Sequence, residues 1–180
     1  MLHLTNLYQT VADKENPDFV ENEGPFICRY KPWLGVGYYF WDNLLERAHW
    51  WGRTHYSNNY MICKAYVDIE SDKCLDLAGN MEQLDYFNKC YKAIKKNYDA
   101  EVITVCFVIN KLIRDGNFPF EAVRALSENC GGDESKMPFV EGHRSFLNLT
   151  PPMQICVIVK SRVRNYHVIY PEEYAINGVV

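Results

Sequence analysis

The chain lacks the features that mark several specialised classes of protein. Its 180 residues carry a net charge of −4, which gives no general attraction to nucleic acid or to anionic lipid. No apolar run approaches the roughly 18 residues of a membrane span, and the first residues lack the basic and apolar stretches of a signal peptide. We therefore expect a single cytoplasmic domain over residues 1–180, with no membrane partner.

Cysteine is present but without a paired pattern. The cysteines are odd in number and include no C-x-x-C pair, so neither a disulfide framework nor a zinc site is indicated, and we predict no metal site. Most of them lie in apolar segments, which favours buried thiols in a reducing cytoplasm. A catalytic thiol would need an activating neighbour such as histidine, and neither His143 nor His167 is next to a cysteine in the sequence. The cysteines are Cys28, Cys63, Cys74, Cys90, Cys106, Cys130 and Cys156.

The most informative segment runs from Gly35 to Phe40 and has the sequence Gly-Val-Gly-Tyr-Tyr-Phe. Two glycines one residue apart let a backbone approach a ligand closely, and the aromatic residues favour a strand. A helix is predicted over residues 42–51, with Asp42 as its N-cap and Gly52 just after its end. The third glycine of a dinucleotide fingerprint is missing. A tight turn before an aromatic core strand is the alternative interpretation.

The remaining pattern places strands towards both ends of the chain and helices in the middle, an order that favours an α+β fold. Alternation and apolar runs predict the strands, the last of them central in a sheet and the fourth pairing with the third across a turn. The predicted strands are residues 4–10, 38–41, 60–70, 74–77 and 154–161. The predicted helices are residues 80–94, 102–113 (with strand as the alternative) and 119–126, and the predicted loops are residues 11–31 and 130–133.

Three segments, taken in order, carry a resemblance to a known family. Leu7-Tyr8-Gln9-Thr10 is similar to the motif Leu-Tyr-His-Gly-Thr, and residues 35–40 are similar to the motif Gly-x-Gly-x-Tyr-Phe, with Tyr39 at the tyrosine position. Residues 153–158 are similar to a third motif strand. With these segments the chain resembles a divergent bacterial member of the ADP-ribosyltransferase superfamily, which includes poly(ADP-ribose) polymerases and bacterial toxins.

The resemblance implies an α+β fold with a split antiparallel sheet and a helical insert, and a pocket that takes NAD as substrate. The implied activity is transfer of ADP-ribose to a protein or nucleic-acid acceptor of unknown identity, through a transition state with positive charge on the sugar. Tyr39 is expected to stack on the nicotinamide ring, and Gln154 to contact the ribose as a catalytic residue. The implied cofactor-binding residues are Tyr8, Gln9, Thr10, Gly37, Tyr38 and Tyr39.

Two departures from the family motifs bear on catalysis. Gln9 stands at the position of the first-motif histidine, and Gln154 stands where many members carry glutamate. Glutamine hydrogen-bonds a hydroxyl but offers no negative charge, and the loss of one such group typically costs about 10²- to 10³-fold in rate. Glu141, in the segment ahead of the third motif, is therefore a candidate catalytic acid, with a solvated loop acid as the alternative.

Other functions are compatible with the same residues. One is an NAD- or ADP-ribose-binding module on this fold that has lost turnover, which Gln9 and Gln154 favour. Another is an interaction protein that uses its four tryptophans as binding hot spots. A basic cluster at residues 160–164 would suit a nucleic-acid target, although three basic residues usually form a solvated face. Structural roles for Gln9, Tyr39 and Gln154 also stay open.

Overall fold

The computed structural model describes residues 4–69, 72–98, 102–127 and 136–175. The predicted loop at 130–133, with Cys130, lies outside this part of the chain, as do residues 70 and 71. The strands are β1 (Leu4–Ala12), β2 (Tyr38–Asp42), β3 (Tyr60–Asp68), β4 (Cys74–Asp76), β5 (Ala122–Leu126), β6 (Lys136–Pro138), β7 (Phe146–Asn148), β8 (Met153–Val157) and β9 (Arg164–Tyr170). The helices are α1 (Pro17–Glu23), α2 (Leu45–His55), α3 (Met81–Asn97), α4 (Val105–Arg114) and α5 (Glu172–Ala175).

Seven of these strands form one mixed sheet in the order β4-β5-β8-β2-β1-β3-β9, and β6 and β7 form a separate hairpin. The α+β prediction is confirmed, and β8 has a neighbour on each side, as its apolar sequence predicted. The sheet is mixed because β4 and β5 run parallel, whereas its other neighbouring strands pair antiparallel. The finer ADP-ribosyltransferase arrangement stays a prediction.

The junction between β1 and β2 has the fewest paired residues in the sheet. Nine residue pairs join β1 to β3, from Leu4↔Asp68 to Ala12↔Tyr60, whereas two pairs, Leu7↔Asp42 and Tyr8↔Trp41, join β1 to β2. Among the described residues, no residue pair joins the two strands beyond Tyr8. This end of the pairing leaves a place for side chains between two strands that are neighbours in the sheet.

Several sequence predictions about secondary structure are wrong. The helix predicted over residues 42–51 continues to His55, so Gly52 lies inside it rather than after its end, and the strand predicted over residues 154–161 ends at Val157. Residues 11–31 contain α1, which Asn16 caps by accepting a hydrogen bond from the Phe19 N–H at 3.0 Å, with proline in its first turn. Residues 119–126 contain strand β5 instead of a helix, and β4 pairs with β5 instead of returning to β3. Asp42 ends β2 and is no helix cap, because its buried carboxylate binds Arg124.

One face of the sheet is covered by two separate groups of helices. On the β5–β8 half, the apolar stripe of α4, with Val108 and Ile109, packs on Val123 and Cys156, which confirms the predicted helix in this region. On the β1–β3 half, Ala48 of α2 packs in a cluster with Tyr8, Trp41, Tyr60 and Ile62. Helix α1 covers the opposite face through Val20. No helix in the described ranges has the length and apolarity needed to cross a membrane.

Candidate functional site

A cavity of about 500 Å³ lies on the face of the sheet that carries α2 and α4. This volume falls within the range of about 300–1,000 Å³ that is typical of small-molecule and cofactor sites. Segment 26–33 and the C-terminal half of α2 contribute to its walls. Five of the eight predicted site residues line it, although they come from three distant parts of the sequence. They are Tyr8, Gln9, Thr10, Tyr39 and Gln154.

Strand register explains why residues so far apart in sequence meet here. Tyr8 lies opposite Trp41, and Trp41 lies opposite Gln154. Residues opposite one another on adjacent strands point to the same face, so these three side chains form a row across β1, β2 and β8. Tyr39 lies two residues before Trp41 on β2 and shares that face. Gln9, the next residue after Tyr8, takes the alternate position.

All four tryptophans of the chain line this cavity. Trp41 lies on the sheet, Trp33 on segment 26–33, and Trp50 and Trp51 on α2. The ring centroid of Trp41 lies 6.4 Å from that of Trp50 and 6.3 Å from that of Trp51. Trp51 in turn stacks on His55 at 3.6 Å. The sequence suggested the four tryptophans as binding hot spots of an interaction protein, and in the structure all four line one concave site.

Gln154 is held in one orientation by Trp33. The Trp33 indole N–H donates to Gln154 Oε1 at 2.7 Å. An indole nitrogen can only donate, so the glutamine oxygen has to face it and the amide nitrogen faces elsewhere. Gln154 Nε2 has no hydrogen-bond partner among the described residues. The amide N–H groups of Gln154 can therefore serve an acceptor on a bound ligand.

The hydroxyl of Tyr39 is used within the chain, while its ring lines the cavity. The hydroxyl oxygen accepts from the Leu34 N–H at 2.6 Å, and the hydroxyl donates to Gly35 O at 2.8 Å. Burial, and next the neighbouring Cys156 thiol, raise the pKa of Tyr39 far above its ordinary value. Tyr39 is thus neutral near pH 7, and it offers a ligand an aromatic surface rather than a titrating group.

The glycine pair contributes packing, in agreement with the tight-turn alternative. Gly35 has φ +93°, a conformation that other residues rarely adopt. At Gly37 a Cβ atom would lie 2.6 Å from both Cys156 Sγ and Val157 O, so the close approach is to strand β8. Neither Gly37 nor Tyr38 lines the cavity, and Tyr38 packs on the opposite face of the sheet.

The first-motif side chains are largely occupied by the protein itself. Gln9 is 6% exposed, and its amide makes four hydrogen bonds within the chain, to Phe26, Tyr39 and Tyr166. The Thr10 hydroxyl donates to Ala48 O at 2.8 Å. Both residues border the cavity, but their polar side-chain groups already have partners. The Gln9 amide thus bonds to other parts of the chain, whereas the family motif implied a contact with NAD.

The charged residues around the cavity have one sign. Arg29 and Lys31, on the exposed part of segment 26–33, line it, and no Asp or Glu does so in the described ranges. Glu141 lies between β6 and β7, is exposed, and does not reach the cavity lining. The sequence did not predict Arg29 and Lys31 as site residues. It did not predict the hydrogen bond between Trp33 and Gln154 either, because these two residues lie 121 positions apart.

In the described ranges, no group of three or more His, Cys, Asp or Glu side chains is placed to hold a metal ion. No protein-family model matches the chain, and searches of curated proteins and of solved structures give no match either. The resemblance to ADP-ribosyltransferases therefore stays a prediction from three sequence motifs, and the function has to be argued from the cavity.

Proposed function

We propose that the aromatic cavity binds NAD and that the protein is an NAD-binding module of ADP-ribosyltransferase type. One observation carries the proposal: all four tryptophans converge with Arg29 and Lys31 on a single cavity whose described lining contains no carboxylate. NAD combines two planar ring systems with an anionic pyrophosphate. Aromatic faces suit its rings, and the two cations suit its phosphates.

The charge around the cavity also selects against the main alternative ligand of an aromatic site. Quaternary ammonium groups bind in cages of aromatic rings through cation–π attraction. Arg29 and Lys31 would repel such a ligand, and the described lining supplies no acid to offset them. NAD carries a positive charge on its nicotinamide ring, but its pyrophosphate makes its net charge negative, and this anionic group suits the same two cations.

Transfer of ADP-ribose to a macromolecular acceptor is the second candidate. It is favoured by the placement of Gln154, the residue at the third-motif position, among the residues that line the cavity. The amide can hydrogen-bond a ribose hydroxyl. It cannot stabilise a cationic sugar as a carboxylate does, and the loss of one such group typically costs about 10²- to 10³-fold in rate. Binding with little turnover is therefore the function that these residues support best.

Calorimetric titration with NAD, followed by a nicotinamide-release assay on the same sample, tests both candidates. We expect saturable binding and little release. Trp50→Ala should weaken binding, because Trp50 lines the cavity and is partly exposed, so its removal disturbs the fold least. Phe139→Ala is the matched control, since Phe139 is exposed and lies outside the cavity lining. Absence of NAD binding to the folded wild type would refute the proposal, and rapid release would favour the transferase.

A further inference from the structure

Gln9 has no hydrogen-bonding capacity left for a ligand. A side-chain amide carries two donor hydrogens and an oxygen that accepts two hydrogen bonds. Gln9 Nε2 donates to Phe26 O at 2.9 Å and to Tyr39 O at 3.3 Å. Gln9 Oε1 accepts from the Phe26 N–H and from the Tyr166 hydroxyl, each at 2.9 Å. Every position is filled by this chain, in a residue that is 6% exposed.

The two bonds between Gln9 and Phe26 have the pattern of a hydrogen-bonded residue pair in an antiparallel β-sheet. In a hydrogen-bonded pair of an antiparallel ladder, each residue bonds to the other through both its N–H and its C=O. Phe26 exchanges both groups with the Gln9 side chain instead. The adjoining residues complete the connection on the other side, because Ile27 forms an antiparallel bridge with Tyr38. Gln9 and Phe26 thus lie where the pairing between β1 and β2 ends.

Segment 26–33 forms the wall of the cavity on which both of its cations lie. Its first residue is held by Gln9, and at its far end Trp33 donates to Gln154. Between these two attachments lie Arg29 and Lys31, which are exposed and line the cavity. The attachment at Phe26, together with the bond from the Cys28 N–H to Gly37 O at 3.0 Å, therefore contributes to the position of the two cations relative to the tryptophans.

We infer that Gln9 is a positioning residue, which holds segment 26–33 against the cavity and does not itself contact the ligand. This inference rests on the proposed NAD binding for its functional consequence, but the attachment can be measured without any ligand. The first-motif resemblance implied a direct contact between Gln9 and NAD. If that were the only role of Gln9, replacing it would leave segment 26–33 of the ligand-free protein unchanged.

The test compares Gln9→Met with Thr5→Val by amide hydrogen exchange and by NAD titration. Thr5 is the matched control, because it is also a buried polar residue of β1 with a side-chain hydrogen bond, to Asp42. In ligand-free Gln9→Met we expect the Phe26 amide to exchange at least about tenfold faster relative to the β1–β3 amides. We expect NAD affinity to fall about tenfold. Thr5→Val should leave both the relative exchange and the affinity of the folded protein unchanged.

The outcomes separate the two proposals. Unchanged relative exchange at Phe26 in Gln9→Met would overturn the inference, and so would faster exchange with full NAD affinity. If the wild type binds no NAD, the proposed function fails, and the exchange measurement alone decides the attachment. Gln9→Asn replaces Gln9→Met if the latter does not fold. It keeps a side-chain amide but is one methylene shorter, so it cannot reach both groups of Phe26; faster Phe26 exchange is again expected, and its absence overturns the inference.

Discussion

The two faces of the sheet at β2 differ in whether their polar groups already have partners within the chain. On the face with the cavity, Gln154 keeps an unused amide nitrogen among aromatic rings and the nearby cations are exposed. On the other face, Arg124 bridges two carboxylates. Its Nε donates to Asp42 at 2.7 Å and its Nη1 donates to Asp76 at 3.0 Å. The first arrangement leaves capacity for a ligand, and the second is complete within the chain.

This difference separates a face whose charges are paired within the chain from the face that we propose to bind NAD. Asp42 is 3% exposed and also accepts from the Thr5 hydroxyl at 2.7 Å. Burial alone would lower the pKa of Arg124, but the hydrogen bond and charge of Asp42, together with Asp76, raise it above its ordinary value. The buried Asp42 carboxylate and the partly buried Asp76 carboxylate are thus placed where an arginine neutralises them, on the face away from the cavity. A substitution of Arg124 should therefore change the stability and leave the NAD affinity of the folded protein unchanged.

The largest expected effect is on stability, at the Arg124 ion pairs on the face away from the cavity. Arg124→Met leaves the Asp42 carboxylate buried without its cation, and we expect a loss of about 3–5 kcal/mol in the free energy of unfolding. Denaturant titration measures it, and NAD affinity of the folded fraction should stay the same. Arg162→Met is the control: its ion pair with Glu121 is about one-third exposed on each side, so less than about 1 kcal/mol is expected. Equal losses in the two variants would contradict the comparison.

The second effect concerns turnover on the cavity face. Gln154→Glu restores a carboxylate that can still accept from the Trp33 indole, and it should raise nicotinamide release about 10²-fold, because the charge favours a cationic sugar in the transition state. Glu141→Ala is the comparison variant and should release nicotinamide as the wild type does, since Glu141 does not line the cavity. A loss of release in Glu141→Ala would show that it is the catalytic acid.

The third prediction tests whether the two cations that line the cavity, Arg29 and Lys31, contribute to NAD binding. Removing both cations, in Arg29→Ala with Lys31→Ala, should weaken NAD binding about tenfold at low salt, since exposed charges each contribute at most about 1 kcal/mol. The effect should shrink at high salt, where these charges are screened. The control pair, Lys92→Ala with Arg114→Ala, removes two exposed cations outside the cavity. An equal loss of affinity there would attribute the effect to net charge.

Local patterns predicted those parts of the fold in which neighbouring residues decide the structure. The apolar run of β8 and the stripe of α4 are of this kind. The misassigned strand β5 is not: Pro119 and the Ala-Val-Arg-Ala-Leu sequence suit a helix, and pairing with β4 and β8 overrides that preference. The Arg124–Asp42 pair spans 82 positions, a contact that no local pattern predicts.

The same division applies to the candidate site. The motifs placed Tyr39 and Gln154 in one site because their residue types occur in a recognisable order, and both residues line the cavity. The occupied amide of Gln9 was not predicted, because a motif gives the position of a side chain and not whether its hydrogen bonds are already made. The filled amide of Gln9 depends on Phe26 and on Tyr166, 157 positions away. Helix α1 was different, since the Asn16-Pro17 signal was present in the sequence and was outweighed by the polar composition around it.

The smallest expected effect separates the ring of Tyr39 from its hydroxyl. Tyr39→Ala should weaken NAD binding several-fold, because a stacked aromatic contributes about 0.5–1.5 kcal/mol beyond its burial. Tyr39→Phe keeps the ring and should bind NAD within about twofold of wild type. It loses the bonds to Leu34 and Gly35, so a stability cost of about 1 kcal/mol is expected at pH 7.

The alkaline limb of stability gives an independent measurement of that hydroxyl. The pKa of Tyr39 is raised in the folded protein, chiefly by burial, so its neutral form is favoured by folding. Its contribution is fully present below the unfolded value near pH 10 and is lost as the pH rises above it, where only the unfolded chain ionises freely. Because a phenylalanine side chain cannot ionise, Tyr39→Phe should lose less stability than wild type between about pH 10 and pH 11. Parallel curves for the two proteins would show that the hydroxyl is not buried as described, and would leave the ring contact to be tested by Tyr39→Ala alone.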